Sequence, residues 1–313
     1  MRYLLLAISF IFTLGVWSQM SSNFNTSRNW SMNKKEIFLA VGATQFLGDL
    51  GGRDQDGTQK SPIDIDWPAT RYGVGLGYRY RFHPYFATST QFYFGEVSGD
   101  DAHTEQVIRQ SRNLSFKSPI IELSQRFEYI ILANEKVGAR YKIKRLKGMR
   151  SKADQLYLFS GVGGAWFNPK TQVNGNWVDL KPLRTEGQGL PGGPDEYSNF
   201  TATIPFGIGG KLGISPFWRI GFEISYHKTF TDYIDDVSGN YYDPEILAQE
   251  VGQNAAYASN PAIENHAWFA PGQQRGNPND NDAYILANIT IIRNVTYPKQ
   301  KGGRVKWKGR TKF

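Results

Sequence analysis

Arg71–Phe82 reads RYGVGLGYRYRF. Taken at every second residue, one set is Tyr72, Val74, Leu76, Tyr78, Tyr80 and Phe82, all apolar or aromatic. The other set is Arg71, Gly73, Gly75, Gly77, Arg79 and Arg81, each charged or without a side chain. Successive side chains of a strand leave on opposite faces. One face of this segment is therefore greasy, and the other is small and polar. A soluble sheet laid on a core also has such a face. The choice between the two depends on how often the pattern recurs and on where the chain is sent.

Met1–Ser18 has the layout of a secretory signal, with Arg2 before an apolar run over Leu4–Leu14 and cleavage expected before Gln19. No later stretch offers the roughly 18 consecutive apolar residues of a spanning helix. The chain has no cysteine, which excludes a disulfide framework and a Cys-ligated zinc. It carries 33 glycines and is 14% aromatic. Export, glycine, aromatic residues and no helical span together favour a transmembrane barrel over a soluble β-protein. Gln19–Lys35 has no periodicity and is expected to be a polar linker.

The alternation recurs in seven further segments: Glu36–Gly48, Tyr85–Val97, Phe116–Ile131, Gln155–Phe167, Phe200–Gly213, Trp218–Phe230 and Asp282–Asn294. Each reaches the about 9–11 residues that a tilted strand needs to cross a bilayer. The expected fold is all-β: an eight-stranded antiparallel outer-membrane β-barrel over residues 36–296. Its inner face would carry glycines, because bulky side chains from eight strands would collide, and charges that neutralise one another. The lumen charges on this pattern are Arg71, Arg79, Glu122, Arg126, Lys211 and Glu223.

Connection lengths alternate. Phe82–Pro84 and Ile214–Phe217 are short, whereas Leu50–Ala69, Ser98–Ser115, Asn168–Asn199 and Thr231–Asn281 are long. Barrels of this kind keep short turns in the periplasm and long loops outside, so both chain ends are expected in the periplasm. One connection breaks the rule. Leu132–Asp154 is periplasmic by parity yet long, and it is basic, with Lys142, Lys144, Arg145, Lys147 and Arg150. The tail 297–313 adds Arg304, Lys306, Lys308 and Arg310 around Trp307, with no acid. Two basic segments with apolar anchors on one face suit an acidic protein surface or anionic headgroups. Nucleic acid does not fit an exported membrane protein. The outer loops are acidic instead, through Asp49, Asp54, Asp56, Asp64 and Asp66 in the first and Asp232, Asp235 and Asp236 in the last.

Catalytic, metal and cofactor sites are not expected. Glu223, Ser225 and His227 alternate on one strand face and have the residue types of an activated nucleophile. A separation of about 6.5–7 Å between such positions argues against direct contact and for lumen filling. The aspartates of the outer loops lack the full ligand spacing of a calcium loop.

Three stretches carry a family resemblance: TQFLGDLGG (Thr44–Gly52), RYRFHPYFA (Arg79–Ala87) and TFTDYIDDVSGNYY (Thr229–Tyr242). With the strand order, the chain resembles the PorG-type outer-membrane β-barrel component of the type IX secretion system of Bacteroidetes. The resemblance implies a non-enzymatic barrel that associates with a periplasmic lipoprotein ring. It supplies no residue roles; the basic segments above are this sequence's own candidates for that contact. The alternative is a small barrel acting as a solute channel, or as a surface-binding, adhesin-like protein through its outer loops.

Overall fold

The computed structural model describes residues 30, 33–50, 67–104, 106–136, 152–215 and 217–295. The expected signal segment, most of the expected linker, Asp54, Asp56, Asp64 and Asp66, the basic stretch 137–151 and the tail lie outside the described residues.

Eight long strands form the barrel: β1 (Lys35–Leu47), β2 (Arg71–Arg81), β3 (Phe86–Asp100), β4 (Ser115–Lys136), β5 (Lys152–Phe167), β8 (Phe200–Gly213), β9 (Trp218–Thr229) and β10 (Ala283–Asn294). Between β5 and β8 lies a short hairpin, β6 (Lys170–Val173) and β7 (Asn176–Asp179). Each barrel strand pairs antiparallel with its neighbours, β1 joins β10, and the β3–β4 pairing completes the ring. Closure leaves no open barrel edge, which a bilayer demands because lipid cannot satisfy free backbone N–H and C=O groups.

The two-residue rhythm sets the faces. Along β2, Tyr72, Val74, Leu76, Tyr78 and Tyr80 are exposed, while Gly73, Gly75, Gly77, Arg79 and Arg81 are buried. Leu76 sits at mid-strand opposite Leu39 of β1 and Phe92 of β3 and is 58% exposed. Ile220, Phe222 and Ile224 continue the apolar band on β9, and Ile289 and Ile291 on β10. The outward polar cluster on β3 and β4 is bonded within the wall: Gln125 donates to Thr88 Oγ1 and accepts from Thr90 Oγ1. An apolar exterior band of this kind, with buried charges at mid-strand inside, marks an outer-membrane barrel.

The expectation that bulky inward side chains would collide needs correcting. Phe38, Tyr93, Tyr157 and Phe159 all point inward and are buried. The glycines make room for them. A Cβ at Gly209 would run into the Tyr157 ring, and one at Gly77 into Phe38. Large and small residues interlock across the lumen, as close packing requires. Gly209→Ala should cost about 1–3 kcal/mol through overpacking, because hydrogen bonds hold the Tyr157 hydroxyl in place. The combination Gly209→Ala with Tyr157→Leu should recover part of that loss, read from urea unfolding in detergent micelles.

At one end β2–β3 and β8–β9 are joined by tight turns, with Phe86 N donating to His83 O and Ile214 N to Trp218 O. The opposite end is closed by a cap made from the long connections. It contains the β6–β7 hairpin and three short helices: α1 (Val107–Arg112), α2 (Pro244–Glu250) and α3 (Gln253–Ser259). Asp243 caps α2 by accepting from Glu245 N at 2.8 Å, and Pro244 follows at the first helical position. Beneath them Leu50, Val97, Phe116, Leu180, Ile234 and Val237 belong to one apolar cluster.

The connection expected over Leu132–Asp154 is shorter than that. β4 runs on to Lys136 and β5 begins at Lys152, paired as Ala133↔Gln155, Asn134↔Asp154, Glu135↔Ala153 and Lys136↔Lys152. β3 stops pairing with β4 at Phe86↔Tyr129. The β4–β5 ribbon therefore continues past the rest of that wall at the turn end, with a register shift between Ile130 and Leu132.

Candidate functional site in the barrel lumen

Arg79 is the centre of the interior. It lies on the inner face of β2, 2% exposed. Its Nε donates to Glu128 Oε1 at 2.8 Å, its Nη1 to Glu36 Oε2 at 3.2 Å, and its Nη2 to Glu223 Oε1 at 3.0 Å and to the Tyr157 hydroxyl at 2.9 Å. One planar fork thus ties β1, β4, β5 and β9 to β2, a geometry suited to arginine and not to lysine. The guanidinium also stands over Tyr157, 4.7 Å from its ring centroid.

The neighbours extend the network. Lys211 Nζ donates to Glu36 Oε2 at 2.7 Å, and Arg219 pairs with Glu36 Oε1. Arg126 Nη1 reaches Glu223 Oε2 at 3.1 Å, and Ser89 Oγ bonds Glu128 Oε1 at 2.6 Å. Four cations (Arg79, Arg126, Lys211, Arg219) thus face three carboxylates (Glu36, Glu128, Glu223) in one buried, hydrogen-bonded set. Burying charge costs several kcal/mol per ion unless the pairing is close and the remaining donors are met. This network does both for most of its atoms. Asn33 closes the turn end, its Oδ1 accepting from Arg219 and, at 2.8 Å, from Asn294 Nδ2. The end of the segment expected to be a linker therefore enters the barrel.

Of the lumen charges expected from sequence, Arg79, Arg126, Lys211 and Glu223 share this network, and Glu122 is buried nearer the cap. Arg71 is different. It sits at the rim, bonded to the carbonyls of Pro68 and Thr70, 3.9 Å from Glu96. Glu36 and Tyr157 are members that sequence reasoning missed, and Glu128 and Arg219, inward by the same alternation, were not among the six expected lumen charges. Counting back by two from Phe38 places Glu36 inside, and counting on by two places Tyr157 on the same side as Phe159. The candidate partner residues Lys142, Lys144, Arg145, Lys147, Arg150, Arg304, Lys306, Trp307, Lys308 and Arg310 lie outside the described residues.

Ser225 and His227 do touch, contrary to the spacing argument. Ser225 Oγ is 2.9 Å from His227 Nε2, because the two side chains lean toward each other although their backbones are two residues apart. The carboxylate beside them is Glu122 of β4, not Glu223. His227 Nδ1 lies 2.7 Å from Glu122 Oε2, yet without the alignment of a hydrogen bond. Glu122 Oε2 accepts from the Tyr284 hydroxyl, and the Tyr284 ring stacks on His227 at 4.8 Å. All four residues are buried under the cap cluster. The group has the residue types of a nucleophile with its base, but all four side chains are buried among the described residues and packed as lumen filling.

The cap has its own ionic set. Arg275 Nη1 donates to Glu186 Oε1 at 3.0 Å. Asp236 accepts from Tyr197 OH at 2.7 Å and from Thr185. Burial raises the Asp236 carboxyl to about 6, against the pull of Arg275 and of those hydrogen bonds. Arg112 clamps Asp101 through Nε at 2.7 Å and Nη2 at 2.9 Å.

No family model matches the chain, and no curated protein sequence matches it. Among solved structures, the N-terminal β-barrel domain of Pseudomonas aeruginosa OprF is similar over 83% of this chain and 97% of its own, with 9% identity and a TM-score of 0.32. Ail, the attachment invasion locus protein of Yersinia pestis, is 12% identical over 83% and 97%, at a TM-score of 0.31. The outer membrane protein OprG of Pseudomonas aeruginosa is 8% identical over 83% and 94%, also at 0.31. At these scores the barrel assignment rests on this chain's own register, closure and exterior.

Proposed function

We propose that the chain is a non-enzymatic outer-membrane β-barrel of a type IX secretion machine, positioned to tie a periplasmic lipoprotein ring to the membrane. The observation that supports this most is the Arg79 network. A lumen crossed by one guanidinium bonded to three carboxylates is a rivet, not a conduit for folded cargo. The role left for such a barrel is positional. The β4–β5 ribbon fits that role, since its pairing runs on past the β3–β4 pairing at the turn end and the sequence joining its two strands is basic. The family resemblance of Thr44–Gly52, Arg79–Ala87 and Thr229–Tyr242 supports the same reading, with both termini in the periplasm.

Reversing Lys142, Lys144, Arg145 and Lys147 to glutamate, or ending the chain after Tyr297, should leave the barrel inserted. Recovery of periplasmic partners after cross-linking in intact envelopes should fall at least several-fold. Full recovery of those partners would remove the docking role. A loss of function on deleting Tyr241–Asn279, with partners still recovered, would move the reading to a surface-binding barrel.

A further inference from the structure

The apolar outer band is interrupted on β3, β4 and β5. Thr90 is the cross-strand partner of Gln125, and Ser160 is the partner of Phe127. Thr90, Gln125 and Ser160 all face outward and are exposed. On its own strand Gln125 lies between Leu123 and Phe127, and Ser160 between Leu158 and Val162; these four are exposed as well. The polar groups therefore stand inside the hydrocarbon-facing band and not at its margin.

Their hydrogen bonding is incomplete. Gln125 Nε2 donates to Thr88 Oγ1 at 2.5 Å, and Gln125 Oε1 accepts from Thr90 Oγ1 at 2.5 Å. A primary amide has two N–H groups and two lone pairs, so one of each is left over. Among the described residues the Ser160 hydroxyl makes no hydrogen bond. A shallow outward-opening depression of about 350 Å³ lies here, lined by Gln125, Phe127, Ser160, Gly161 and Val162 with Thr88 and Arg126.

The backbone is weakened at the same place. The β5–β8 pairing runs to Ser160↔Phe206 and resumes only at Gly163↔Thr203. That register sets Gly161 opposite Pro205, and proline has no N–H to give. Hydrocarbon offers no substitute for a missing rung. The β9–β10 wall is different, with pairs unbroken from Ala283↔Lys228 to Arg293↔Trp218.

We propose that a second copy of the chain docks on this patch, wall against wall within the membrane, about a two-fold axis. Lipid tails carry neither donor nor acceptor and leave these groups unmet. The outward neighbours Phe92, Leu123, Phe127, Leu158, Val162 and Phe206 carry no charge, so the complementary surface is neutral too. In a two-fold contact the same residues meet one another, and the patch must be its own complement. An amide and a hydroxyl satisfy that condition because each both donates and accepts. Side chains of these types hold segments together inside membranes. The contact would also cover the interrupted β5–β8 seam.

Because the chain has no cysteine, Ser160→Cys and Val162→Cys each place one thiol on the patch. Oxidation in native outer membranes should join each variant to a second copy of itself, giving a product of twice the chain mass. Ile289→Cys, exposed on β10 across the barrel from β4, should give at least several-fold less. In detergent the wild-type barrel should sediment as a monomer–dimer equilibrium. Gln125→Leu combined with Ser160→Ala should raise the dissociation constant by about tenfold. That variant puts apolar groups on a lipid face, so its melting temperature should not fall. A purely monomeric wild type, equal linking at Ile289, or an unchanged dissociation constant in the double variant would overturn the proposal. So would a Ser160→Cys product of any other mass, which would mark a different membrane protein as the occupant.

Discussion

Replacing Arg79 by alanine should cost at least about 3–5 kcal/mol and leave most of the protein unable to fold into the membrane. The truncation takes one partner from each of Glu36, Glu128 and Glu223, all three of which Arg79 meets in the lumen. Lys211 and Arg219 still cover Glu36, and Arg126 still covers Glu223. Glu128 loses its guanidinium and keeps Ser89. The combination Arg79→Met with Glu128→Gln should therefore recover a large part of the stability, since a neutral amide removes the stranded charge. Arg79→Lys should fall between, because an ammonium has one point charge to share where the fork reached across the barrel. Urea unfolding of protein refolded into vesicles measures all three. Equal stability of Arg79→Ala and the wild type would mean that the network does not hold the walls together.

The second large effect is expected outside the barrel. Leu76→Arg places a charge at the middle of β2, on the face shared with Leu39 and Phe92. At the bilayer midplane this costs about 2–4 kcal/mol, and near the interface about 0–1. Tyr80→Arg, close to the strand end, should therefore be far milder. Comparable cost at both positions would mean that depth in a membrane does not set the penalty. The same pair in a soluble sheet would show no such gradient.

The strands were legible because a barrel wall repeats one local rule. β9 shows it most cleanly: Ile220, Phe222 and Ile224 face out while Arg219, Glu223 and Ser225 face in, each residue declaring its side by chemistry alone. Tyr157 was harder. An aromatic residue suits either lipid or a packed lumen, and only the space left by Gly209 admits it inside. Glu36 escaped because it sits at the strand's first turn outward from the linker, where polar residues ordinarily mean solvent. The cap was not legible at all. Its apolar cluster draws on Leu50, Leu180, Ile234 and Val237 from separate loops, with no common period to connect them. The Ser225–His227 contact depends on side-chain lean, which backbone spacing does not reveal.

The central claim is that the two-residue rhythm separates lipid from a filled interior. The chain has no cysteine, so single cysteines can be placed one at a time on outward and on small inward positions in vesicles. The account predicts that spin labels at the outward Val74, Leu76 and Tyr78 are accessible to oxygen, which concentrates in lipid, and not to a water-soluble nickel reagent. The inward, buried Ser89→Cys and Ser124→Cys should resist a water-soluble maleimide until the protein is unfolded. High nickel accessibility at the outward positions, or ready alkylation of the folded protein at the inward ones, would contradict it.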